Sequence, residues 1–532
     1  MLHAWQGPCA SLSTCHHGVK DMDEQTGQTY VSPIKSAHTM AEGKGVYDGK
    51  RWLESLKDGR INYYKGENLG DVTKNPLTKG MADEIARIYD MQHDPEYQDI
   101  LTFETEEGRR VSRSYQLPKT TQDMVERRKC SEFWARQVYG MCGRLPDFCA
   151  NMVLGFYDLY PELAKLNKDL AENARNFFTY ARDNDICISH ALHDPCMDKS
   201  LRPKQDPDRC LRAVKERDDG IVVRGARFNT FGPFSNEILI APTYPLAPDE
   251  EEFAIWFVVP VDAPGLSQIC REIYSGRGQQ DHPMSSRFDE IDTVVIFDDV
   301  FIPWERVFLY REPQAAGRLF RQGVMVWAGQ CGTSLSMTRI DLLIAIGHLL
   351  AETSGVQDRQ EIRMALGELC TYRHLLRASI QAAEANTRPS YSGLLRPGLS
   401  PERRGLIAMT AERFLTLVQH IATSSIIFLP NAEDFDNPDV NKYLDLYWGG
   451  RESTPEERYR LCKLAWDLVG DAYGSRQMMY DRLHSGNPMA MIEGAYRTMD
   501  MSDGLEMVRE IIGMESPVAQ AFPFVQEELT EG

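Results

Sequence analysis

Between Asp219 and Tyr310 the chain breaks into short apolar, β-rich runs: Ile221-Val222-Val223, Ile238-Leu239-Ile240, Phe253 to Val259, Val294 to Phe297 and Val307 to Leu309. Gly225, Gly232, Pro233, Pro260, Pro264, Gly265 and Pro303 punctuate them. Runs of this length between turn residues predict packed antiparallel strands. On both sides the hydrophobic period lengthens to that of a helix. Helices are predicted at about 80–94, 120–140, 147–158 and 161–184. They resume near Arg318, through MTRIDLLIAIGHLLAETSG, RMALGELCTYRHLLRASIQAAEANT and GLIAMTAERFLTLVQHIATSSIIF. Ser400-Pro401 and Thr454-Pro455 place a capping side chain before proline at the first helical position, and Thr454 with Glu457 makes a capping-box pattern. YDGKRWLESLKDGRINYYKGENLGDVT reads as a helix, a Gly-terminated turn and a short hairpin.

These patterns predict an α+β protein in four parts. Residues 1–45, polar and aperiodic, form a flexible extension; 46–185 form a helical N-terminal domain, 186–312 a central antiparallel β-domain and 313–532 a C-terminal helical bundle. A chain of 532 residues exceeds what one core supports, so several domains are expected, with a cleft where helices meet strands.

A formal charge of −19 argues against a nucleic-acid or anionic-membrane partner, because phosphate binding needs clustered cations. No apolar run approaches the ~20 residues that span a bilayer, and the start, MLHAWQGPCASLSTCHHGVKD, lacks the basic and apolar segments of a signal peptide. The expected location is cytoplasmic. The twelve cysteines are scattered without CxxC or CxxxC, and Cys130, Cys142, Cys149, Cys331, Cys370 and Cys462 fall in helical patterns, so free buried thiols are expected. His16-His17 lacks further ligands nearby, and no metal site is expected.

GxGxxG, GxxxxGK[ST], HExxH and GxSxG are all absent, so no nicotinamide dinucleotide site is expected. Gly276-Arg277-Gly278 reads as a mobile flap, and His282 in DHPMSSRF as a loop histidine of unassigned role. Two stretches could carry chemistry. In GMCGRLPDFC, Arg144 sits at a helix junction, where its guanidinium either points into a cleft or pairs with Asp147 at the surface. In DICISHALHDPCMDKS, His190 ends an apolar lead-in before a polar loop broken by Pro195; it is either a structural histidine or a proton acceptor.

WLESLKDGR with GDVTKNP, GRLPDF, SHALHDPCMDK, GIVVRGAR, SSRFDEIDTVVIFDDVFIPWERVFLYR and WDLVGDAYGSRQ occur in order from about residue 47 to 490. On these stretches the sequence resembles the oxygenase component of 4-hydroxyphenylacetate 3-hydroxylase and its phenol-hydroxylating relatives. The resemblance implies an acyl-CoA dehydrogenase-like fold, usually tetrameric. It implies FAD, received as FADH2 from a separate flavin reductase, and molecular oxygen as co-substrate. It also implies hydroxylation of a phenol through a C4a-hydroperoxyflavin.

Residue by residue, Arg144 matches the family's phenol-binding arginine and His190 its catalytic histidine. Such chemistry asks for a fixed cation beside a phenolate and a group that takes a proton near neutrality. The match assigns flavin contacts to His190-Ala191-Leu192, Cys196-Met197-Asp198-Lys199 and Gly474-Ser475-Arg476-Gln477, with Arg476 suited to the pyrophosphate. A flavin-contacting threonine falls near Phe231, with Thr230 beside it, and Thr243-Tyr244 match the pair at the substrate end. Where the hydroxyphenylacetate enzymes carry a tyrosine against the phenol oxygen, this chain has Phe148. That departure points to a different phenol, and a dehalogenating or denitrating hydroxylase is the alternative. The remote alternative is a 4-hydroxybutyryl-CoA dehydratase-like lyase, whose iron–sulfur cluster needs three cysteines and a histidine.

Overall fold

The computed structural model describes residues 43–195, 198–398, 401–484 and 488–513; residues 1–42 of the expected extension, and Cys196 and Met197, lie outside the described residues. The strands of the first 310 residues in chain order are β1 (Asn62–Tyr64), β2 (Glu67–Asn68), β3 (Thr102–Glu104), β4 (Arg110–Ser112), β5 (Ile188–His193), β6 (Arg212–Arg217), β7 (Gly220–Thr230), β8 (Glu237–Ile240), β9 (Ile255–Pro260), β10 (Leu266–Cys270), β11 (Thr293–Pro303) and β12 (Val307–Tyr310). Ten of them build one sheet in the order β12-β9-β8-β5-β7-β11-β10-β1-β2, with β6 paired on β7.

The sheet is mixed, which corrects the expected all-antiparallel arrangement. β5 runs parallel to β8, and β1 parallel to β10. The reason is topological. β7 lies antiparallel to β5; after the turn at Gly232–Phe234 the chain reverses and pairs on the opposite edge of β5, and so must run parallel to it. Period-two patterning reports faces, not strand direction. β1 and β2 come from the segment read as a hairpin ahead of the helices, yet they join the central sheet through β10.

The helix predicted over 161–184 is two, Tyr160–Leu166 and Lys168–Asn184, because Asn167 accepts the amides of Asp169 and Leu170 and starts a new helix. Pro146–Asp158 is buried along nearly all of its length, its polar residues Asp147, Asn151 and Asp158 included. The expected box at Thr454 forms, with Thr454 and Glu457 capping Pro455–Val469 reciprocally. Met325–Thr353 is the axis of the C-terminal bundle, packed on Thr121–Gln137, Pro146–Asp158, Gln360–Ala385 and Pro401–Ala422.

That axis belongs to a continuous helical run, Pro313–Thr353, long and apolar enough to cross a membrane by length and composition, with 61% of its most apolar stretch buried in the protein. Arg339 and Asp341 interrupt it, so no unbroken apolar run in it approaches ~20 residues. A bundle's central helix is apolar on every side and meets the same criterion. Cys142 is also misplaced by the helical pattern: Tyr139 and Gly140, both at positive φ, end the preceding helix before it. The nine described cysteines are free thiols, eight of them buried.

Candidate active site

The site is built where the turn before Pro146–Asp158 meets the edge between β5 and β7. Pro146 starts the helix, so the residues before it project toward the sheet. Arg144 Nε donates to His190 Nε2 at 2.7 Å, and its Nη1 donates to the Gly143 carbonyl at 2.9 Å. Because Nε2 accepts, His190 is the neutral imidazole with its proton on Nδ1. The Arg144 guanidinium lies 4.1 Å from the Phe148 ring centre, and the Phe148 and His190 rings are 5.7 Å apart. All three side chains are buried. The expected site residues Arg144, Phe148 and His190 therefore form one constellation.

The surface Arg144–Asp147 pair is not formed. Asp147 is buried and faces Ser131, Cys331 and Arg127 instead. Burial pushes its carboxyl up to about 6, against the lowering effect of those neighbours. Arg127 Nη1 holds the Ser114 carbonyl at 3.2 Å, and Asn151 Nδ2 donates to Cys331 Sγ at 3.1 Å, so this polar group is a brace behind the helix.

β5 and β7 set the other wall. His190 pairs with Thr230 across the strands, and Thr230 Oγ1 lies 3.4 Å from His190 Nε2. Phe231, at φ 62°, turns into the core against Phe234, leaving Thr230 as the residue on the site. Ala191 packs in the sheet's inner cluster and Leu192 in the cluster shared with Phe148. Arg227 Nη1 holds the Leu192 carbonyl at 2.8 Å and so fixes the strand end. Beyond it Asp198 accepts from Ser200, and Lys199 is exposed. Thr243 and Tyr244 lie on the loop after β8: Thr243 Oγ1 is 3.3 Å from His193 Nδ1, and Tyr244 Oη donates to Asp194. Tyr244 packs on the same apolar cluster as Phe148.

Gly474-Ser475-Arg476-Gln477 sits in the helix Ala472–Met479, close to the Arg144 turn. A Cβ on Gly474 would lie 2.0 Å from the Leu468 carbonyl oxygen, so only glycine lets this helix fold back on Pro455–Val469. Arg476 does not present its guanidinium outward. It is ion-paired with Asp292 and lies 4.7 Å from the Tyr480 ring centre, while Arg144 lies 5.2 Å from the same ring. The buried carboxylate of Glu290 and the half-buried one of Asp292 draw it inward. Glu290, Asp292 and Tyr480 are not among the candidates read from the sequence; for Glu290 and Asp292, their place in the long matching stretch SSRFDEIDTVV was the available signal.

One face of the sheet continues away from His190. Thr230, Phe228 and Ala226 alternate along it with Val294 and Ile296 beside them. Phe228 and Ile269 are 44% and 49% exposed there. The face opens into a hollow of about 510 Å³ lined by Pro195, Arg209, Arg224, Ala226, Ser267 and Ile296 among others. An open apolar face of this kind fits a planar ring system such as the flavin of FAD, while the two arginines at its end are paired with Asp206 and Asp299. The loop at 276–278 is pinned rather than free: Arg277 Nη1 donates to Asp471 at 2.6 Å and Nη2 to Ser285 Oγ at 3.1 Å. His282 joins that cluster, with Nδ1 3.3 Å from Asp471.

Helices around a central mixed sheet, with this site at their junction, make up an α+β fold. The chain belongs to the 4-hydroxyphenylacetate 3-hydroxylase family: the family's N-terminal region matches residues 48–309 and its C-terminal region residues 317–513. It is 33% identical over 471 residues to a 4-hydroxyphenylacetate 3-monooxygenase oxygenase component from Thermus thermophilus, covering 87% of this chain and 97% of that one. A 4-nitrophenol 2-monooxygenase oxygenase component from Rhodococcus is 30% identical over 460 residues, covering 83% and 86%. The crystal structure of a 4-hydroxyphenylacetate 3-monooxygenase oxygenase component with FAD and 4-hydroxyphenylacetate superposes with a TM-score of 0.83 at 32% identity, covering 88% and 98%.

Proposed function

We propose that this chain is the oxygenase component of a two-component, FADH2-dependent monooxygenase that hydroxylates a phenol. The observation that carries the reading is the buried Arg144–His190 hydrogen bond under the Phe148 ring, set in the fold of this family. When bound, FADH2 supplies the electrons that activate molecular oxygen for transfer to the ring. His190, Ala191, Leu192, Cys196, Met197, Asp198, Lys199, Thr230, Gly474, Ser475, Arg476 and Gln477 would hold it, with the open face of β7, β10 and β11 as its platform.

The chain's own residues prepare the phenol. Its hydroxyl displaces the Arg144 Nε–H as donor to His190 Nε2, and His190 takes the proton. Arg144 then faces the phenolate oxygen as counter-charge. In a buried site a cation at hydrogen-bond distance lowers a phenol's pKa strongly, and the phenolate ring is the better nucleophile. Thr243 and Tyr244 line the far end of the substrate. Phe148 gives the phenol an apolar edge where a tyrosine would donate a hydrogen bond, which suits a phenol already acidic or bulky.

That feature is the ground for the second reading, a hydroxylase that expels halide or nitrite from a substituted phenol; the relative named for 4-nitrophenol supports an acidic phenol as substrate, its name placing the oxygen at position 2. A separate flavin reductase is the partner, and reduced flavin passes to this chain by diffusion or direct transfer. The enzyme acts in the cytoplasm, as a homotetramer. Met489, Ile492 and Tyr496 in Pro488–Thr498, and Met507, Val508, Ile511 and Ile512 in Ser502–Ile512, are exposed apolar side chains that assembly would cover. The test is a panel of phenols with chemically reduced FAD and oxygen, read by product mass. Hydroxylated product, or halide or nitrite release with it, is expected; flavin oxidation without any phenol product contradicts the proposal.

A further inference from the structure

The Arg144 turn is held from behind by a carboxylate that neither the family match nor the mechanism above uses. Glu290 lies between the short helix Ser285–Phe288 and β11, 147 residues from Gly143 in sequence, and is 1% exposed. Its Oε2 accepts the Gly143 amide at 2.5 Å. Across the turn stands Tyr480. A Cβ on Gly143 would lie 2.9 Å from Tyr480 Cε1 and 3.1 Å from Glu290 Oε2, so the backbone is clamped between the two side chains. Arg144 Nη1 in turn bonds the carbonyl of the same glycine at 2.9 Å, while its Nε reaches His190. The glycine whose amide Glu290 grips is the glycine whose carbonyl anchors the guanidinium.

A carboxylate this deep is costly unless something needs it. Burial raises the Glu290 carboxyl above the usual range, Asp292 raises it further, and Arg144, Arg476 and the Gly143 amide oppose them. Among the described residues, its second oxygen, Oε1, has no hydrogen-bond partner. An acid retained at such cost, with one oxygen spent on a single amide next to the phenol-binding arginine, is placed for that amide.

We infer that Glu290 is a positioning residue of the active site: its hold on the Gly143 amide fixes the turn that aims Arg144 at His190 and at the phenol oxygen. The inference rests on the proposed function for its consequence, but not for its geometry. An acceptor at this position is what matters, so glutamine, which keeps an oxygen there, should serve and leucine should not.

The test uses the full chain with FAD bound, Glu290→Gln and Glu290→Leu, and 4-nitrophenol as probe, whose anion is followed by its visible absorption. Glu290→Leu is expected to weaken binding of the nitrophenolate about tenfold or more, the worth of one hydrogen bond to a charged group. Glu290→Gln should stay within about threefold of the parent. Crystal structures should show the Arg144 guanidinium displaced from His190 in Glu290→Leu and retained in Glu290→Gln. An Arg144–His190 bond intact in Glu290→Leu overturns the inference, as does a glutamine variant as impaired as the leucine one. Should Glu290→Leu not fold, Gly143→Ala presses on the same clamp from the other side; native-like nitrophenolate binding and Arg144 geometry there overturn it equally. Failure of the parent to bind nitrophenolate counts against the proposed function, and the crystallographic comparison then decides the positioning role alone.

Discussion

At the scale of single residues, the account turns on two side chains with separable duties. Arg144→Ala removes the counter-charge for the phenolate, and His190→Ala removes the acceptor for its proton. Each is expected to lower product formation ~100-fold or more, while reduced flavin and oxygen are still consumed and hydrogen peroxide accumulates. Product and peroxide yields per flavin oxidised measure this, and near-normal coupling in both variants would remove the assigned roles. Phe148→Tyr adds a donor of roughly 1.5–3 kcal/mol toward a charged phenolate oxygen. It should shift the kcat/KM ratio toward 4-hydroxyphenylacetate and away from an acidic nitro- or halophenol; a ratio unchanged within about twofold would mean that Phe148 does not face that oxygen. Arg144 stood out in the sequence by local punctuation, a glycine before and a proline after, whereas its role and those of His190 and Phe148 came from the family resemblance rather than from the residues alone. Glu290 and Asp292 were not legible: their partners, Gly143 and Arg476, lie far away in the chain.

At the scale of elements, the helix Pro146–Asp158 carries the site on its first turn and a strained acid just inside it. Asp147 has its carboxyl raised from 3.8 to about 6 by burial. The folded state therefore binds a proton more tightly than the unfolded chain, and this contribution is fully present below about pH 4 and lost as pH rises through about 6. A shift of this size corresponds to roughly 2–3 kcal/mol. Asp147→Asn should remove that slope, so parent and variant compared by denaturant unfolding at pH 4 and pH 7 should diverge by about this amount. Parallel stability profiles would contradict it. Gly474→Ala forces a Cβ into the Leu468 carbonyl and should destabilise the helix pair by roughly 1–3 kcal/mol, read as a lowered Tm. The strands, the capping box and most helices were legible because each is written in local periodicity. The parallel pairs β5–β8 and β1–β10 were not, since alternation is the same for either direction.

At the scale of the whole molecule, the layers expected from the sequence are present, but β1 and β2 join the sheet from among the N-terminal helices, a long-range pairing with no local signature. The central claim is that the chain spends reduced flavin on a phenol. It is tested most directly by giving the purified chain, without any reductase, chemically reduced FAD, isotopically labelled oxygen and a phenol, beside a parallel reaction with NADH or NADPH in place of reduced FAD. The account predicts one labelled oxygen atom in the phenolic product of the first reaction and no nicotinamide oxidation in the second. Unlabelled phenol recovered while flavin is oxidised to peroxide across the whole panel, or NAD(P)H oxidised by the chain alone, would contradict it.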